Sequence, residues 1–346
     1  MRLVSYKAEG ERDKARRLGI IVEGDTVADA RAGYALLLDE QGDLQAEEVA
    51  ALRIPAETAA LLAAGPAAMA AAAAAATWLT GRHGKAPDAR GPDDEPLYLP
   101  LADVHLFAPL APSKVIAAGR NYKSHHEEMS ASPMPFALPT TWLKGASAIA
   151  GPRDDIVRPS GCEKMDYETE MAFVIGKKCK NVPADSAFDV VAGYLVANDI
   201  TARDVGQRER KEGNRLFGKS FDGFCPMGPC FVTADEIDDP NDLPIRTRVN
   251  GELRQDGTTA DMIWKIPDII AYVSQMELLP GDVVMTGTPA GVASGSGDVS
   301  KQLKPGDVLE SEIEGIGCMT NRIIDDPLPP SWDWDRPGLF SSGPGT

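Results

Sequence analysis

The sequence has few of the residues on which zinc-dependent and nucleophilic catalysis depend. Its 346 residues include four histidines and five cysteines. The cysteine count is odd and no C-x-x-C pair occurs, so neither a disulfide framework nor a zinc site follows, and a reducing cytosol is expected. No G-x-S-x-G elbow is present, and a serine triad would have to use His125 or His126 without a supporting signature. Cys225 and Cys230 are interpreted as small buried side chains.

Positive charge and long apolar runs are also scarce. The chain has 35 lysines and arginines against 52 acidic residues, a net charge of -17, which argues against nucleic acid or an anionic membrane as a partner. The alanine-rich run 67–76 is weakly hydrophobic and too short to span a membrane. Residues 1–6 contain no signal-peptide core, so we expect a cytoplasmic protein.

The chain divides into three parts by texture. Residues 1–104 combine short strands with alanine-rich helices and predict a small α+β domain without an evident chemical constellation. Residues 105–325 carry buried strand patterns and nearly all the candidate functional residues, and are interpreted as the catalytic domain. Residues 326–346 form a tail rich in Pro, Gly and Trp, which we expect to be disordered or docked through Trp332 and Trp334.

An acidic stretch at 166–177 is the centre of the larger domain. Its β-branched and aromatic run predicts a strand, on which Glu168 and Glu170 point to one face. Two neighbouring carboxylates repel each other, and a bound cation would remove that cost; oxygen-only ligands suit Mg²⁺, Mn²⁺ or Ca²⁺. The alternative is a pair of exposed glutamates in an acidic protein.

Other candidate functional residues are identified in the same way, from their residue type and their position in the predicted elements. His125 and Glu128 lie three apart on a predicted helix, where a carboxylate can orient an imidazole as a general base; the alternative is a surface pair. Asp199 stands between a strand end and a helix start, with Arg203 on the first turn of that helix. Lys219 lies in a tight turn, although a lone lysine is usually solvated.

A glycine-rich turn at 286–292 offers a different kind of contact. It follows a predicted strand, and its backbone N–H groups and the Thr288 hydroxyl are suited to holding a carboxylate. It is not a phosphate loop, because no G-x-G-x-x-G occurs there. Two other segments, 120–141 and 206–218, carry prolines, glycines and charges, and are predicted to be mobile lids.

Taken together and in order, these pieces resemble the fumarylacetoacetate hydrolase (FAH) family. The matching segments are Gly119-Arg120-Asn121-Tyr122 with His125 and Glu128, Asp166-Tyr167-Glu168-Thr169-Glu170, Asn198-Asp199-Ile200-Thr201-Ala202-Arg203-Asp204, Lys219-Ser220-Phe221-Asp222, Thr286-Gly287-Thr288-Pro289 and Glu314-Gly315-Ile316-Gly317. The resemblance covers roughly residues 105–325. It implies a β-rich α+β fold around a rolled mixed sheet, usually in a homodimer, and small 2-oxo or β-diketo acid substrates.

The resemblance also implies roles for individual residues. Glu168, Glu170 and Asp199 would hold Mg²⁺ or Mn²⁺, with Ca²⁺ as a substitute in a crystal. His125 and Glu128 would activate water, and Lys219 would stabilise developing negative charge. The substrate contacts would be Arg120, Tyr122, Arg203 and Thr288. Where the family often has glutamine in the lid, this chain has Gly206 followed by Gln207, which puts lid contacts to substrate in doubt.

The function that follows from this resemblance is hydrolysis of a carbon–carbon bond in an acylpyruvate such as a fumarylpyruvate- or fumarylacetoacetate-like compound. The metal would act as Lewis acid, and His125 would take a proton from the attacking water. The same enolate chemistry serves a decarboxylase, an isomerase, a hydratase of catabolic pathways, or a 2-oxo sugar-acid hydrolase or lyase. A binder of 2-oxo acids without catalysis is the contrasting class.

Overall fold

The computed structural model describes residues 1–10, 16–23, 25–129 and 137–329. Trp332 and Trp334 of the tail lie outside this range, and so do residues 130–136 of the predicted lid at 120–141. The strands are β1 (Arg2–Ala8), β2 (Arg17–Val22), β3 (Thr26–Asp29), β4 (Tyr98–Pro100), β5 (Val104–Phe107), β6 (Val115–Gly119), β7 (Thr140–Lys144), β8 (Ile149–Ala150), β9 (Ile156–Arg158), β10 (Met165–Asp166), β11 (Thr169–Ile175), β12 (Val191–Asn198), β13 (Thr201–Ala202), β14 (Cys225–Thr233), β15 (Pro244–Val249), β16 (Glu252–Thr258), β17 (Val283–Met285), β18 (Val308–Ile313) and β19 (Gly317–Asp325). The helices are α1 (Ala30–Glu40), α2 (Ala46–Arg53), α3 (Thr58–Ala63), α4 (Pro66–His83), α5 (Lys123–Met129), α6 (Arg203–Lys211), α7 (Phe217–Ser220) and α8 (Ile266–Val273).

A large mixed sheet runs through the molecule in the order β4-β3-β2-β1-β14-β12-β11-β17-β6-β7, with β5 added to β1 and β8 added to β14. Most neighbours are antiparallel, but β17 pairs parallel with β6. The amino-terminal strands join the sheet through β1 and β14, where Leu3 pairs with Phe231. The predicted strand-rich α+β class is confirmed.

A second sheet of five strands has the order β16-β15-β18-β19-β9. Its hairpin β15–β16 turns at Asn250-Gly251, whose positive φ angles of +53° and +80° are those that a two-residue Asn-Gly turn requires. Side-chain hydrogen bonds join the two sheets. Thr247 Oγ1 on β15 lies 2.6 Å from Thr169 Oγ1 on β11.

The strand β11 forms the centre of the large sheet. All seven of its residues are buried, and it pairs antiparallel with both β12 and β17. Ala172 and Val174 pack in one apolar cluster, whereas Met171, Phe173 and Ile175 pack in another, so both faces are covered. Burying one side chain such as Phe173 contributes roughly 1.5–3 kcal/mol.

The predicted acidic strand is shorter than expected at its start. Met165 and Asp166 form the separate strand β10, which pairs with β13, and β11 begins at Thr169. Glu168 therefore lies in the connection between two strands rather than within one. The two glutamates still converge, because this connection turns into the sheet beside Asn198 and Asp199 at the end of β12. The backbone N–H of Glu168 donates to Asn198 Oδ1 at 2.9 Å, and that of Asp199 donates to the Glu168 carbonyl at 2.8 Å.

The alanine-rich run lies within the 18-residue helix α4, which packs by its small side chains into the amino-terminal core. Gly33 on α1 lets Leu79 approach so closely that a Cβ there would lie 2.6 Å from the leucine side chain. In the parts of the chain described above, no helix combines the length and apolarity that a membrane crossing requires.

Candidate active site

A pocket of about 340 Å³ opens beside the start of β11. Its walls come from five parts of the fold, namely the end of β6 with α5, the strand β7, the start of β11, the helices α6 and α7, and the turn after β17. Seven of the predicted site residues line it: Arg120, His125, Glu168, Glu170, Arg203, Lys219 and Thr288. The pocket therefore collects residues that are distant in the sequence.

Three buried carboxylates form the floor of the site. Glu168, Glu170 and Asp199 each place one carboxylate oxygen so that all three oxygens lie within 4.8 Å of one another. Asp199 is fully buried, and the glutamates are nearly so. Such a cluster of hard oxygen donors suits a divalent cation of the magnesium, manganese or calcium type. The interpretation of these glutamates as exposed surface residues is excluded.

Two lysines supply positive charge to this carboxylate cluster. Lys219 Nζ lies 2.6 Å from both Glu168 Oε2 and Asp199 Oδ2. Lys144 Nζ, from the end of β7, lies 2.5 Å from Asp199 Oδ1 and also donates to the Lys219 carbonyl. The Lys219 ammonium group thus lies between two of the three carboxylates, and the oxygen donors of all three fit a divalent metal ion.

The pKa values of the two glutamates diverge because their partners differ. Burial alone raises the pKa of Glu168, but the charges of Arg203, Lys219 and His125 hold it well below its ordinary value. Burial and the neighbouring Asp199 and Glu168 raise the pKa of Glu170 well above its ordinary value. Glu170 Oε2 accepts from the Gly287 backbone N–H at 2.7 Å, a weaker partner than an ammonium group. In the cluster without metal, the surroundings therefore favour the protonated form of Glu170 and the ionised form of Glu168.

Arg203 is held in a fixed geometry by two acids. Its Nε lies 2.8 Å from Asp166 Oδ2, and its Nη2 lies 2.6 Å from Glu168 Oε1. Although burial opposes the charge, these acids raise the pKa of Arg203 above its ordinary value. The Asp166 carboxylate also accepts from the backbone N–H groups of Ala293 and Ser294 at 2.8 and 3.0 Å. Arg203 is thereby tied both to the carboxylate cluster and to the loop after β17.

His125 and Glu128 lie on α5, as their spacing predicts. His125 Nδ1 is 3.5 Å from Glu128 Oε2, which is an ion-pair distance rather than an aligned hydrogen bond. The Glu128 carboxylate accepts from the Gly291 backbone N–H at 3.1 Å. It also fills the space beside Gly295, where a Cβ would lie 2.0 Å from Glu128 Cδ. The imidazole lines the pocket, while its glutamate partner is fixed behind it.

The turn after β17 closes the pocket from the opposite side. Gly287 has a φ of +93°, and a Cβ there would lie 3.0 Å from the Cβ of Asn121, so the turn requires glycine. The Thr288 hydroxyl donates to the Thr169 carbonyl at 2.8 Å and accepts from Gln255 Nε2. The single hydroxyl hydrogen is thus used within the fold. In this arrangement the Thr288 hydroxyl has no hydrogen left to donate to a substrate carboxylate.

Two predicted substrate contacts differ in their surroundings. Arg120 is exposed at the pocket, in a left-handed backbone conformation with φ of +54°. Tyr122 is fully buried in an apolar cluster and is not part of the pocket lining. Burial raises its pKa far above the ordinary value. The Gly119-Arg120-Asn121-Tyr122 motif therefore places Arg120 at the pocket and Tyr122 in the core.

Three residues of the site have no clear signal in the sequence. Lys144 follows an ordinary strand pattern, Asp166 carries no role of its own in its motif, and Glu209 stands in a charged segment. Glu209 is buried, and its carboxylate accepts from the backbone N–H groups of Leu216, Phe217 and Gly218 at 3.2, 2.8 and 2.7 Å. The residue therefore fixes the start of α7, which carries Lys219. These three residues are recognised as part of the site only from the groups that they contact. Those groups are either remote in the sequence or belong to the backbone.

The segment 206–218, which is predicted to be a mobile lid, is partly helical. Helix α6 occupies Arg203–Lys211, and its N-cap is Ala202 without a side-chain cap. The sequence Thr201-Ala202-Arg203-Asp204 fits a capping box, but Thr201 Oγ1 donates to the Asp199 carbonyl instead. Gly206 lies so close to Gly218 that a Cβ on Gly218 would approach the Gly206 Cα to 2.7 Å. This glycine contact packs α6 directly on α7.

A strand-rich α+β fold around a buried carboxylate triad, with an ammonium group and an imidazole at one pocket, defines a class of metal-site enzymes. The family model described as fumarylacetoacetate (FAA) hydrolase C-terminal matches residues 114–324. The chain belongs to this family, as its motifs predict.

The similar proteins are named for different reactions. The chain is 44% identical over 231 residues to oxaloacetate tautomerase FAHD2A, mitochondrial, from Homo sapiens, covering 65% of this chain and 71% of that protein. It is 30% identical to maleylpyruvate hydrolase from Sphingobium sp. SYK-6, solved in complex with manganese(II) ion and pyruvate, with a TM-score of 0.64 and coverage of 94% and 99% of the two chains.

An isomerase has an equally similar structure. The 5-carboxymethyl-2-hydroxymuconate delta-isomerase from Mycobacterium smegmatis is 30% identical, with a TM-score of 0.65 and coverage of 94% of this chain and all of that one. The chain is thus an enzyme of the family. The manganese complex and the carboxylate triad together support a divalent metal site.

Proposed function

We propose that this protein is a metal-dependent enzyme of 2-oxo acids, and that it interconverts the keto and enol forms of an oxaloacetate-like substrate. The observation that carries this proposal is the meeting of the carboxylate triad, Lys219 and His125 at one pocket. A relative that is 44% identical is named as an oxaloacetate tautomerase, which favours tautomerisation over the other outcomes.

The metal would be Mg²⁺ or Mn²⁺, held by Glu168, Glu170 and Asp199. When bound, it would supply Lewis-acid polarisation of the 2-oxo group and neutralise part of the substrate charge. The chain itself provides the remaining functions. Arg203 and Lys219 surround the carboxylates with fixed positive charge, which stabilises negative charge that develops on the substrate oxygen.

His125 is the group that moves the proton in this proposal. Tautomerisation removes a proton from the carbon beside the 2-oxo group and returns one to the enolate oxygen, without net change in atoms. An imidazole suits this role near neutral pH, and Glu128 limits its orientation from behind. For hydrolysis, His125 would also have to activate a water molecule.

The experiment follows the enol form of oxaloacetate by its ultraviolet absorbance, in buffer with and without Mn²⁺. We expect the protein to accelerate its disappearance only when metal is present. His125→Ala should lose roughly 10²–10⁴-fold in rate while still binding Mn²⁺. Asp199→Asn should lose metal affinity and activity together, and Asp256→Asn, an exposed acid away from the triad, should lose neither. An unaccelerated reaction with the metal-loaded protein would refute the tautomerase assignment.

Carbon–carbon hydrolysis is the second candidate, and the His125–Glu128 pair at the pocket is the observation that favours it. Water would add to the distal carbonyl of an acylpyruvate, and cleavage would release a carboxylic acid and pyruvate. With fumarylpyruvate in ¹⁸O-water, the label should appear in fumarate rather than in pyruvate. Cleavage with this labelling, together with slow oxaloacetate tautomerisation, would make hydrolysis the main activity. Size-exclusion chromatography would test the homodimer expected from the family resemblance.

A further inference from the structure

Two further arginines line the same pocket as the carboxylate triad. Arg210 lies near the end of α6, and Arg215 lies in the connection to α7. Their presence is unexpected from the overall charge, since the chain carries 52 acidic residues against 35 basic ones. Positive charge is therefore concentrated at one wall of a pocket whose floor is acidic.

The two arginines differ from Arg203 in their partners. Arg203 forms ion pairs with Asp166 and Glu168 within the fold. Within residues 1–10, 16–23, 25–129 and 137–329, Arg210 and Arg215 make no side-chain hydrogen bond and no ion pair. Their guanidinium groups remain available to a ligand in the pocket.

Glu209, which precedes Arg210 in the sequence, offsets part of the charge repulsion on Arg210 but forms no ion pair with either arginine. Its carboxylate is occupied by the three backbone N–H groups at the start of α7. Its carbonyl accepts from the Asn214 N–H at 2.9 Å, and the Arg210 carbonyl accepts from the Gly213 N–H at 3.2 Å. These bonds fix the short segment from Arg210 to Arg215 against α7, so both arginines start from an ordered backbone.

The charges of this wall repel one another. Partial burial lowers the pKa of Arg210, and the positive charges of Arg203, Arg215 and Arg120 lower it further. An anion placed among these groups would relieve that repulsion. Glu168 and Glu170 of the acidic triad line the same pocket, so a ligand that contacts both a metal ion held there and the two arginines needs two anionic groups.

We propose that Arg210 and Arg215 form the subsite for the second carboxylate of a 2-oxo dicarboxylic acid, whose 2-oxo carboxylate end lies at the triad. The planar guanidinium groups match the geometry of a carboxylate and form charge-assisted hydrogen bonds with it. This assignment rests on the proposed function, because it takes the metal end of the site as the place of the 2-oxo group. It makes the two arginines the residues that select diacids over monoacids.

The test measures binding of two ligands of equal chain length to the Mn²⁺-loaded protein by calorimetry. The first, 2-oxoglutarate, has a distal carboxylate, and the second, 2-oxopentanoate, has a methyl group there. We expect the wild-type protein to bind 2-oxoglutarate at least 10-fold more tightly. The double variant Arg210→Gln/Arg215→Gln should lose roughly 10–100-fold in affinity for 2-oxoglutarate, the range expected for hydrogen bonds to a charged group. Its affinity for 2-oxopentanoate should change less than about twofold.

The control variant is Lys211→Gln, which removes one positive charge from the same helix at an exposed position outside the pocket lining. It should bind both ligands as the wild type does. Equal affinity of the wild type for the two ligands, or equal losses for both in the double variant, would overturn the arginine subsite alone. Failure of the wild-type protein to bind either ligand would overturn the proposed function, and the subsite with it.

Discussion

At the scale of single residues, Lys144 shows how strongly the carboxylate cluster depends on internal cations. Its side chain is fully buried, and it pairs with the equally buried Asp199. Removing one member of a buried ion pair leaves the other charge without compensation, which costs more than the pair contributes. The residue therefore belongs to the site even though it is placed beneath the pocket rather than in it.

We predict that Lys144→Met lowers the free energy of unfolding by roughly 3 kcal/mol in the presence of EDTA. Excess Mn²⁺ should recover a large part of this loss, because the ion replaces the missing charge. Urea titrations with and without Mn²⁺ measure both effects. The control is Lys114→Met, which breaks a pair with the buried Asp282 away from the triad. If metal restores both variants equally, Lys144 has no special relation to the triad.

Glu170 gives a pH dependence of known sign. Its pKa is raised in the folded protein, whereas in the unfolded chain it is about 4.3. Between these two values the unfolded chain loses its proton first, so the stability of the metal-free protein falls as the pH rises above about 4.3. Glu168 has the opposite sign, because its lowered pKa adds stability above about 4.3 that is lost on acidification.

We therefore predict that Glu170→Gln stabilises the metal-free protein near pH 7 and that the gain shrinks towards pH 4. Denaturant titrations across this range in EDTA give the difference. In the presence of Mn²⁺ the sign should reverse, since the variant has lost a ligand. A gain that is independent of pH would show that the pKa of Glu170 is the same in the folded and unfolded states.

The residue scale also shows which parts of the site can be read from the sequence. Glu168 and Glu170 are predictable because neighbouring acidic side chains repel one another unless a cation lies among them, whereas Asp199 joins them only through the family resemblance. The family resemblance adds the roles of His125, Glu128 and Lys219, which remain predictions. Lys144 and Asp166 are not predictable in this way, because their partners, Asp199 and Arg203, are far along the chain.

At the scale of elements, the packing of α6 on α7 sets the position of Lys219, which lies on α7. The sequence of this segment is charged and contains glycine, so propensity alone favours a mobile loop. The structure forms two helices here, and the Gly206–Gly218 approach and the Glu209 carboxylate hold them together. A local reading of charge cannot find a carboxylate that is bound to backbone groups.

We predict that Glu209→Ala speeds amide hydrogen exchange of Leu216, Phe217 and Gly218 by roughly tenfold or more, because each amide loses its acceptor. The rate of the catalysed reaction should fall as Lys219 loses its fixed position. Exchange in β11 should stay unchanged. Glu212→Ala, at an exposed position just after α6, serves as the matched control. Unchanged exchange at these three amides would contradict the anchoring role.

At the scale of the whole molecule, the large sheet is continuous across the domain boundary proposed at residue 104. Strand β1 pairs with β14 as well as with β2 and β5. The sequence predicts the individual strands, but it contains no signal for pairing between Leu3 and Phe231. Such long-range pairing depends on the assembled sheet rather than on local preference.

We predict that residues 1–104 and 105–325 unfold in one transition, because a shared sheet couples their stability. Hydrogen exchange at increasing urea, analysed separately for peptides from the two parts, should give the same midpoint. A lower midpoint for residues 1–104 would instead show an independently unfolding unit. The same data would show whether the two proposed domains are separate in energy as well as in sequence texture.

The two ammonium groups in the carboxylate cluster have a consequence for the life of the protein in the cell. Because the chain brings its own counter-ions to the triad, it can complete its fold before it meets a metal ion. Metal loading would then be an exchange, in which the ion would take over contacts that the Lys219 ammonium makes with Glu168 and Asp199. Newly made protein would therefore accumulate as a stable, inactive reserve when metal is scarce, and its maturation would follow metal supply rather than synthesis.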